Sequence, residues 1–171
     1  FAEARHIGML APFRVSFGTL DGLDVIEVRL ERDGIVGRGE CCPMEIYGQT
    51  IESTLAEIRA VAPAVEAGTM DRLSLQSALP ANSARNALDC ALWDYEAKAS
   101  QRSIWDLTGF SYADRLPADV SISIMSPEQT ANKARSLVDA PMIKLKLGGE
   151  DDIACTRAVR TALPETPLFV D

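Results

Sequence analysis

Apolar and polar positions alternate in the first forty residues with the two-residue period of strands. Arg5 to Phe17 is a mixed apolar and polar run, and Leu23 to Glu31 alternates with Leu23, Val25 and Glu27 on one side. Asp21-Gly22 and Asp33-Gly34 are turn signals, and Ile35 to Glu40 follows the second of them. These segments predict an antiparallel meander. The period then lengthens. Thr50 is placed to cap a helix carrying Ile51, Leu55, Ile58, Ala62 and Val65, with Pro63 expected to kink or shorten it. Ser83 is placed to cap a second helix whose stripe is Ala84, Ala87, Leu88, Ala91, Leu92 and Tyr95. After about residue 114 strands and helices alternate. Asp119 to Met125 predicts a strand, and so does the run beginning at Met142. Glu150 to Leu163 has helical spacing closed by Pro164, and Leu168-Phe169-Val170 predicts a short strand buried on both faces.

The pattern therefore describes an α+β unit followed by β/α repeats, with the boundary near Tyr112 to Pro117. A strand, a helix and a strand joined by a right-handed crossover are parallel, so the C-terminal ends of the two strands share one rim. Lys144, Lys146 and Asp171 all fall toward those ends, where (β/α)₈ barrels carry their chemistry. Two lysines two residues apart in a strand face the same way. A strand with one wet face accounts for Lys-Leu-Lys-Leu alone, whereas the rim position favours a reactive pair. Two cations a few Å apart lower each other's proton affinity, and burial adds to the effect, which turns a lysine into a base near neutral pH.

Composition narrows the partners. The 171 residues are 47% hydrophobic and 25% charged, with a formal net charge of −8, the balance of a globular protein. That charge argues against nucleic-acid binding, and no apolar run approaches a membrane span. The first residues lack the pattern of a secretory leader, so a cytoplasmic location is expected. Cys41, Cys42, Cys90 and Cys155 show no zinc spacing and are expected to be reduced and buried. Gly34, Gly37 and Gly39 do not make a dinucleotide fingerprint, because the strand and helix order is wrong. A single histidine, His6, leaves lysine and carboxylate chemistry as the main possibility.

Lys144-x-Lys146 at the end of one strand and Asp171 at the end of the next, 25 positions on, resemble the enolase superfamily, muconate-lactonizing subgroup. The run Ser83 to Asp94 is similar to the helix signature of that superfamily's capping domain. Together with Gly39-Glu40-Cys41-Cys42-Pro43 and the Lys-Leu-Lys-Leu-Gly-Gly run, it looks most like the dipeptide epimerases. The resemblance implies an α+β capping domain over residues 1–113 and the start of a (β/α)₈ TIM-like barrel over 114–171. The barrel would be incomplete at the C-terminus, the chain being the front portion of an enzyme or one broken at a gap. It implies an isomerase that is active only as the complete parent chain and removes an α-proton next to a carboxylate, on a dipeptide of the L-Ala-D/L-Xaa type. A muconate cycloisomerase or o-succinylbenzoate synthase, and an inactive truncated fragment, remain the alternatives.

By the same resemblance Lys146 is the acid/base, Lys144 supports it electrostatically, and Asp171 is the first of three acidic Mg²⁺ ligands. The others, with an opposing lysine, would lie beyond residue 171. Ser121 stands where the epimerases often carry threonine near the substrate, although a hydroxyl bonded to neighbouring backbone explains it equally. Phe17, Thr19 and the segment Cys42 to Gly48 resemble the two cap loops that cover the substrate, and as loops they also read as plain connections. Phe17 and Leu20 are apolar where a polar or cationic residue is frequent, which argues against an acidic Ala-Glu substrate. Arg14 is placed to meet a carboxylate or simply to face solvent. Trp93, Trp105 and Phe110 are expected to pack the cap against the barrel. The partners implied are a small-molecule substrate, with no nucleic acid or membrane, and further copies of the chain in a homo-oligomer.

Overall fold

The computed structural model describes residues 1–111 and 115–171; the expected domain boundary between 113 and 114 lies outside the described residues. The chain divides into two compact units, Phe1–Ile7 with Leu23–Tyr112, and Gly8–Gly22 with Ala113–Asp171.

The first unit is built on a three-stranded sheet in the order β1 (Ala2–Val15), β2 (Gly18–Arg32), β3 (Ile35–Cys41). Asp33 and Gly34 take positive φ angles of 53° and 75°, the turn that lets β2 and β3 pair from Arg32 opposite Ile35 onward. The Asp21-Gly22 signal does not turn the chain. β2 runs straight through it, and the reversal falls at Ser16-Phe17 instead, so β1 and β2 form one long ribbon. Ile26 and Val28 enter the apolar core, with Leu30 packed against it, so the core side is one residue out of phase with the expected Leu23-Val25-Glu27 side. Glu27 instead pairs with Arg5 and Arg29, each at 2.8 Å.

The hydrogen bonds from Arg29, then Arg5, hold the Glu27 carboxyl down at about 2. A carboxylate whose folded value lies below its ordinary 4.5 contributes stability that is present above that value and lost as pH falls toward 2. We expect NMR of the Glu27 carboxyl carbon to give a midpoint near 2. Arg29→Met should move that midpoint back toward the ordinary range.

Thr50 caps α1 (Ile51–Glu66) in a reciprocal box with Ser53, and the helix continues through Pro63, which stands in its last turn. The long helix α3 (Ser83–Ser100) is capped by Asn82 rather than Ser83: the Asn82 side chain accepts from the Arg85 N–H at 3.1 Å and donates to Glu57. Its Ala84, Ala87, Leu88 and Ala91 are buried as the stripe predicts. Two short helices, α2 (Arg72–Ala78) and α4 (Ile104–Thr108), were not anticipated; each opens with a capping box, Asp71 with Ser74 and Ser103 with Asp106. Of the aromatic residues expected to pack cap against barrel, Trp93 lies under the Arg72 guanidinium at 3.3 Å and Phe110 is 71% exposed. The four cysteines are free thiols; Cys41 and Cys155 are buried, Cys42 is half-buried, and Cys90 departs from expectation by being exposed.

α3 lies on β3 with almost no space between them. A methyl group at Gly39 would collide with the Ala87 carbonyl oxygen and the Ala91 amide, backbone atoms that cannot swing aside. Gly39→Ala should therefore destabilise the protein by about 1–3 kcal/mol or more, read from denaturant unfolding. At Gly8 an added methyl meets nothing within 4 Å, so Gly8→Ala should leave the unfolding midpoint nearly unchanged.

The second unit holds a parallel sheet, β4 (Asp119–Ile122), β5 (Met142–Leu145) and β6 (Leu168–Val170), joined by α5 (Pro127–Arg135) and α6 (Asp152–Ala162). Ser126 caps α5 with Pro127 at its first position. Ile122, Ile143 and Leu145 pack with Ala134, Cys155, Val159 and Leu163 into the core under the helices. In β6, Phe169 and Val170 are 39% and 50% exposed within these 171 residues.

Candidate active site

With one face of the parallel sheet committed to the helices, strand alternation sends the intervening residues to the other face. Ser121, Lys144 and Phe169 stand opposite one another across the three strands. One step further, the Lys146 amide donates to the Ile122 carbonyl at 2.9 Å and the Asp171 amide to the Leu145 carbonyl at 3.0 Å. The next row across the sheet is thus Ser123, Lys146 and Asp171. Both lysines converge on one carboxylate oxygen. Lys144 Nζ lies 2.5 Å from Asp171 Oδ2 and Lys146 Nζ lies 2.6 Å from it. The lysine side chains keep 28% and 22% of their exposure, and Asp171 keeps 47%.

The electrostatics of this trio differ from the expectation of two cations depressing each other. Asp171 sits between them, and its hydrogen bond pushes Lys144 up rather than down. The bonds from Lys144 and Lys146 in turn hold the Asp171 carboxyl down at about 2. An ammonium that is donating to a carboxylate has no lone pair to offer.

Behind the trio the chain makes a tight loop. The Asp152 carboxylate at the start of α6 accepts from the Gly148 amide at 3.1 Å and the Gly149 amide at 3.0 Å. Of the other predicted site residues, Ser121 shares the face of Lys144, and its hydroxyl reaches Asp119 at 3.4 Å. Phe17 and Thr19 are exposed, in the turn between β1 and β2 and just after it. Arg14 enters through its backbone, which bonds Ser123 and Ile124. The sequence reading missed Ser123. The segment Cys42 to Gly48 lies in the first unit and borders a cavity of about 650 Å³ with Asn82, Arg85 and Asn86.

Asp171 is a hard oxygen donor of the kind Mg²⁺ takes, but Mg²⁺ requires six ligands in near-octahedral geometry. Among the described residues no group of three His, Cys, Asp or Glu side chains is placed to hold a metal ion. The described residues do not make a metal site by themselves. No helix among the described residues is long and apolar enough to cross a membrane.

A small antiparallel sheet covered by helices, followed by parallel β/α repeats with lysines and a carboxylate at the strand ends, is the capping domain and opening barrel strands of an enolase-type protein. Residues 3–109 match the N-terminal domain of the mandelate racemase / muconate lactonizing enzyme family, and the chain belongs to that family. It is 40% identical over 162 residues to the L-Ala-D/L-Glu epimerase of Escherichia coli K12, an alignment covering 94% of this chain and 50% of the relative. Its fold is similar to an enolase family member from Agrobacterium tumefaciens with homology to dipeptide epimerases, solved with sodium and L-Ala-L-Glu. The TM-score is 0.93 at 37% identity, over 100% of this chain and 52% of that one. It is also similar to a dipeptide epimerase from Enterococcus faecalis solved with Mg and L-Leu-L-Tyr, with a TM-score of 0.86 at 26% identity, again over 100% and 52%. The chain spans about half the length of these relatives.

Proposed function

We propose that this chain supplies one proton-transfer face of a Mg²⁺-dependent epimerase that inverts an α-carbon next to a carboxylate, with a dipeptide as substrate. The observation that supports this reading most is the convergence of Lys144 and Lys146 on Asp171 at the C-terminal ends of parallel strands. In this reading Lys146 removes the α-proton from one face of the substrate carbon, and Lys144 holds positive charge beside it. Asp171 is one metal ligand, and further oxygen donors and the opposing base come from residues not among these. A metal held by Asp171 and further oxygen donors would supply Lewis acidity at the substrate carboxylate, which would make the α-proton acidic enough for a lysine to take. Before it can act, Lys146 must leave Asp171, because proton transfer requires its free amine. Ser121 lines the substrate face beside Lys144, and Phe17 and Thr19 contact the substrate from the β1–β2 turn. The division into a capping domain to residue 113 and a barrel from residue 114 belongs to the same reading.

Two substrate ranges compete. Apolar Phe17 and Leu20 favour dipeptides with apolar or mixed side chains, whereas the Escherichia coli relative is an Ala-Glu epimerase. Incubating the full-length enzyme with L-Ala-L-Glu, with apolar L,L-dipeptides and with open-chain dienedioic acids, then measuring the change in optical rotation or product formation, separates these possibilities. Turnover confined to open-chain dienedioic acids would replace epimerisation with cycloisomerisation.

A further inference from the structure

The ribbon tip Gly8–Gly22 is compact with the second unit rather than with the sheet from which it extends. Two contacts account for this. At the first, the Arg14 backbone meets the end of β4. The Arg14 amide donates to the Ser123 hydroxyl at 2.7 Å, that hydroxyl donates to the Arg14 carbonyl at 3.0 Å, and the Ile124 amide donates to the same carbonyl at 3.0 Å. At the second, the chain passes Gly148 so closely that an added Cβ would stand 2.8 Å from Ser16 Cβ and 3.1 Å from Ser16 Cα. Gly148 also has a φ of 136°, which a larger residue adopts only with strain. The Asp152 carboxylate fixes the Gly148 amide from the other side.

Both contacts fall beside the reactive row. Ser123 is the residue opposite Lys146, and Gly148 is two positions beyond Lys146 on the same strand end. A surface ribbon turn with no anchor would sample many positions, and any side chain it carries would lose the entropy of ordering each time a substrate bound. Here the residues on either side of Val15 are held, and Phe17 follows directly. The side chain of Ser123 is thereby committed to the ribbon and is not available to the substrate.

We propose that Ser123 and Gly148 are positioning residues that lock the β1–β2 turn onto the rim carrying Lys146 and Asp171, so that Phe17 and Thr19 meet the substrate already ordered. The lock rests on the contacts of Ser123 and Gly148 alone, while its consequence for substrate binding rests on the proposed epimerase function. The test is made in the full-length enzyme with Ser123→Ala, which removes both hydroxyl bonds, and Ser123→Thr, which keeps them.

Amide hydrogen exchange over residues 14–19 should quicken in Ser123→Ala by about three- to tenfold, the size of one or two lost hydrogen bonds. Exchange over Met142–Leu145 should stay as in the parent and report that the sheet is folded. KM for the dipeptide should rise severalfold with kcat nearly unchanged, and Ser123→Thr should match the parent in both respects. Unchanged exchange at residues 14–19 in Ser123→Ala overturns the lock. Faster exchange with unchanged KM, or with the loss appearing in kcat, overturns its role in substrate binding. If no dipeptide is turned over by the parent, the epimerase reading fails while the exchange comparison still decides the lock.

Discussion

In the full-length enzyme, replacing Lys146 with alanine is expected to lower net epimerisation by about 10⁴-fold, the upper range for loss of a positioned acid/base. The more telling result is what survives. If the reaction uses one base on each face of the substrate carbon, each base handles the proton of only one stereoisomer. The variant should still exchange the α-proton of the isomer whose proton points at the opposing base, and it should not exchange the other. Incubation of each isomer in deuterated buffer, followed by mass measurement, reads this directly. Comparable exchange of both isomers would show that Lys146 is not a base, and the paired lysines would then be the wet face of a strand. In the proposed reading Lys144 supplies charge and not the proton acceptor, so Lys144→Ala should behave differently and retain part of the activity in both directions.

The shared face of the lysines was legible because strand alternation alone puts Lys144 and Lys146 on one side, and a crossover helix alone makes the next strand parallel. What those rules do not contain is the partner. Asp171 lies 25 residues from Lys146, and only the folded register shows its carboxylate seated between both ammonium groups. That placement reverses the expected effect on Lys144, since a shared counter-charge outweighs the repulsion of two like charges. Ser123 was out of reach for a similar reason: its partner is a backbone group 109 residues away.

In the first unit, the helices with broad apolar stripes were readable, and the short ones were not. α2 buries only Leu75, and α4 has no buried residue, so neither leaves a periodic signal. The cap boxes at Asp71 and Ser103 were the available clue. Asp21-Gly22 misled because turn residues are also tolerated within a long exposed ribbon, where no packing opposes them. Val25 and Ile26 are both buried, at 4% and 0%, which blurs the alternation and shifts the core face to Ile26 and Val28.

Asp171→Asn in the full-length enzyme separates the proposed metal-ligand role of this carboxylate from its place as counter-charge of the two lysines. The asparagine keeps the shape and an acceptor oxygen but carries no charge. If Asp171 is a metal ligand, Mg²⁺ affinity should fall on the order of 100-fold or more, since a hard dication gains most from anionic oxygen. Turnover should fall with it, and raising Mg²⁺ concentration should restore part of the lost rate. If Asp171 serves only as the counter-charge of the lysines, Mg²⁺ affinity should be unchanged. Calorimetric titration of Mg²⁺ into parent and variant distinguishes the two without any substrate present. A second consequence follows from the hydrogen bond that pushes Lys144 up: without the carboxylate that support is gone, and Lys144 should titrate lower in the metal-free variant than in the metal-free parent. A variant that binds Mg²⁺ as tightly as the parent would leave Asp171 as an ion-pair residue and remove the first ligand from the proposed metal site.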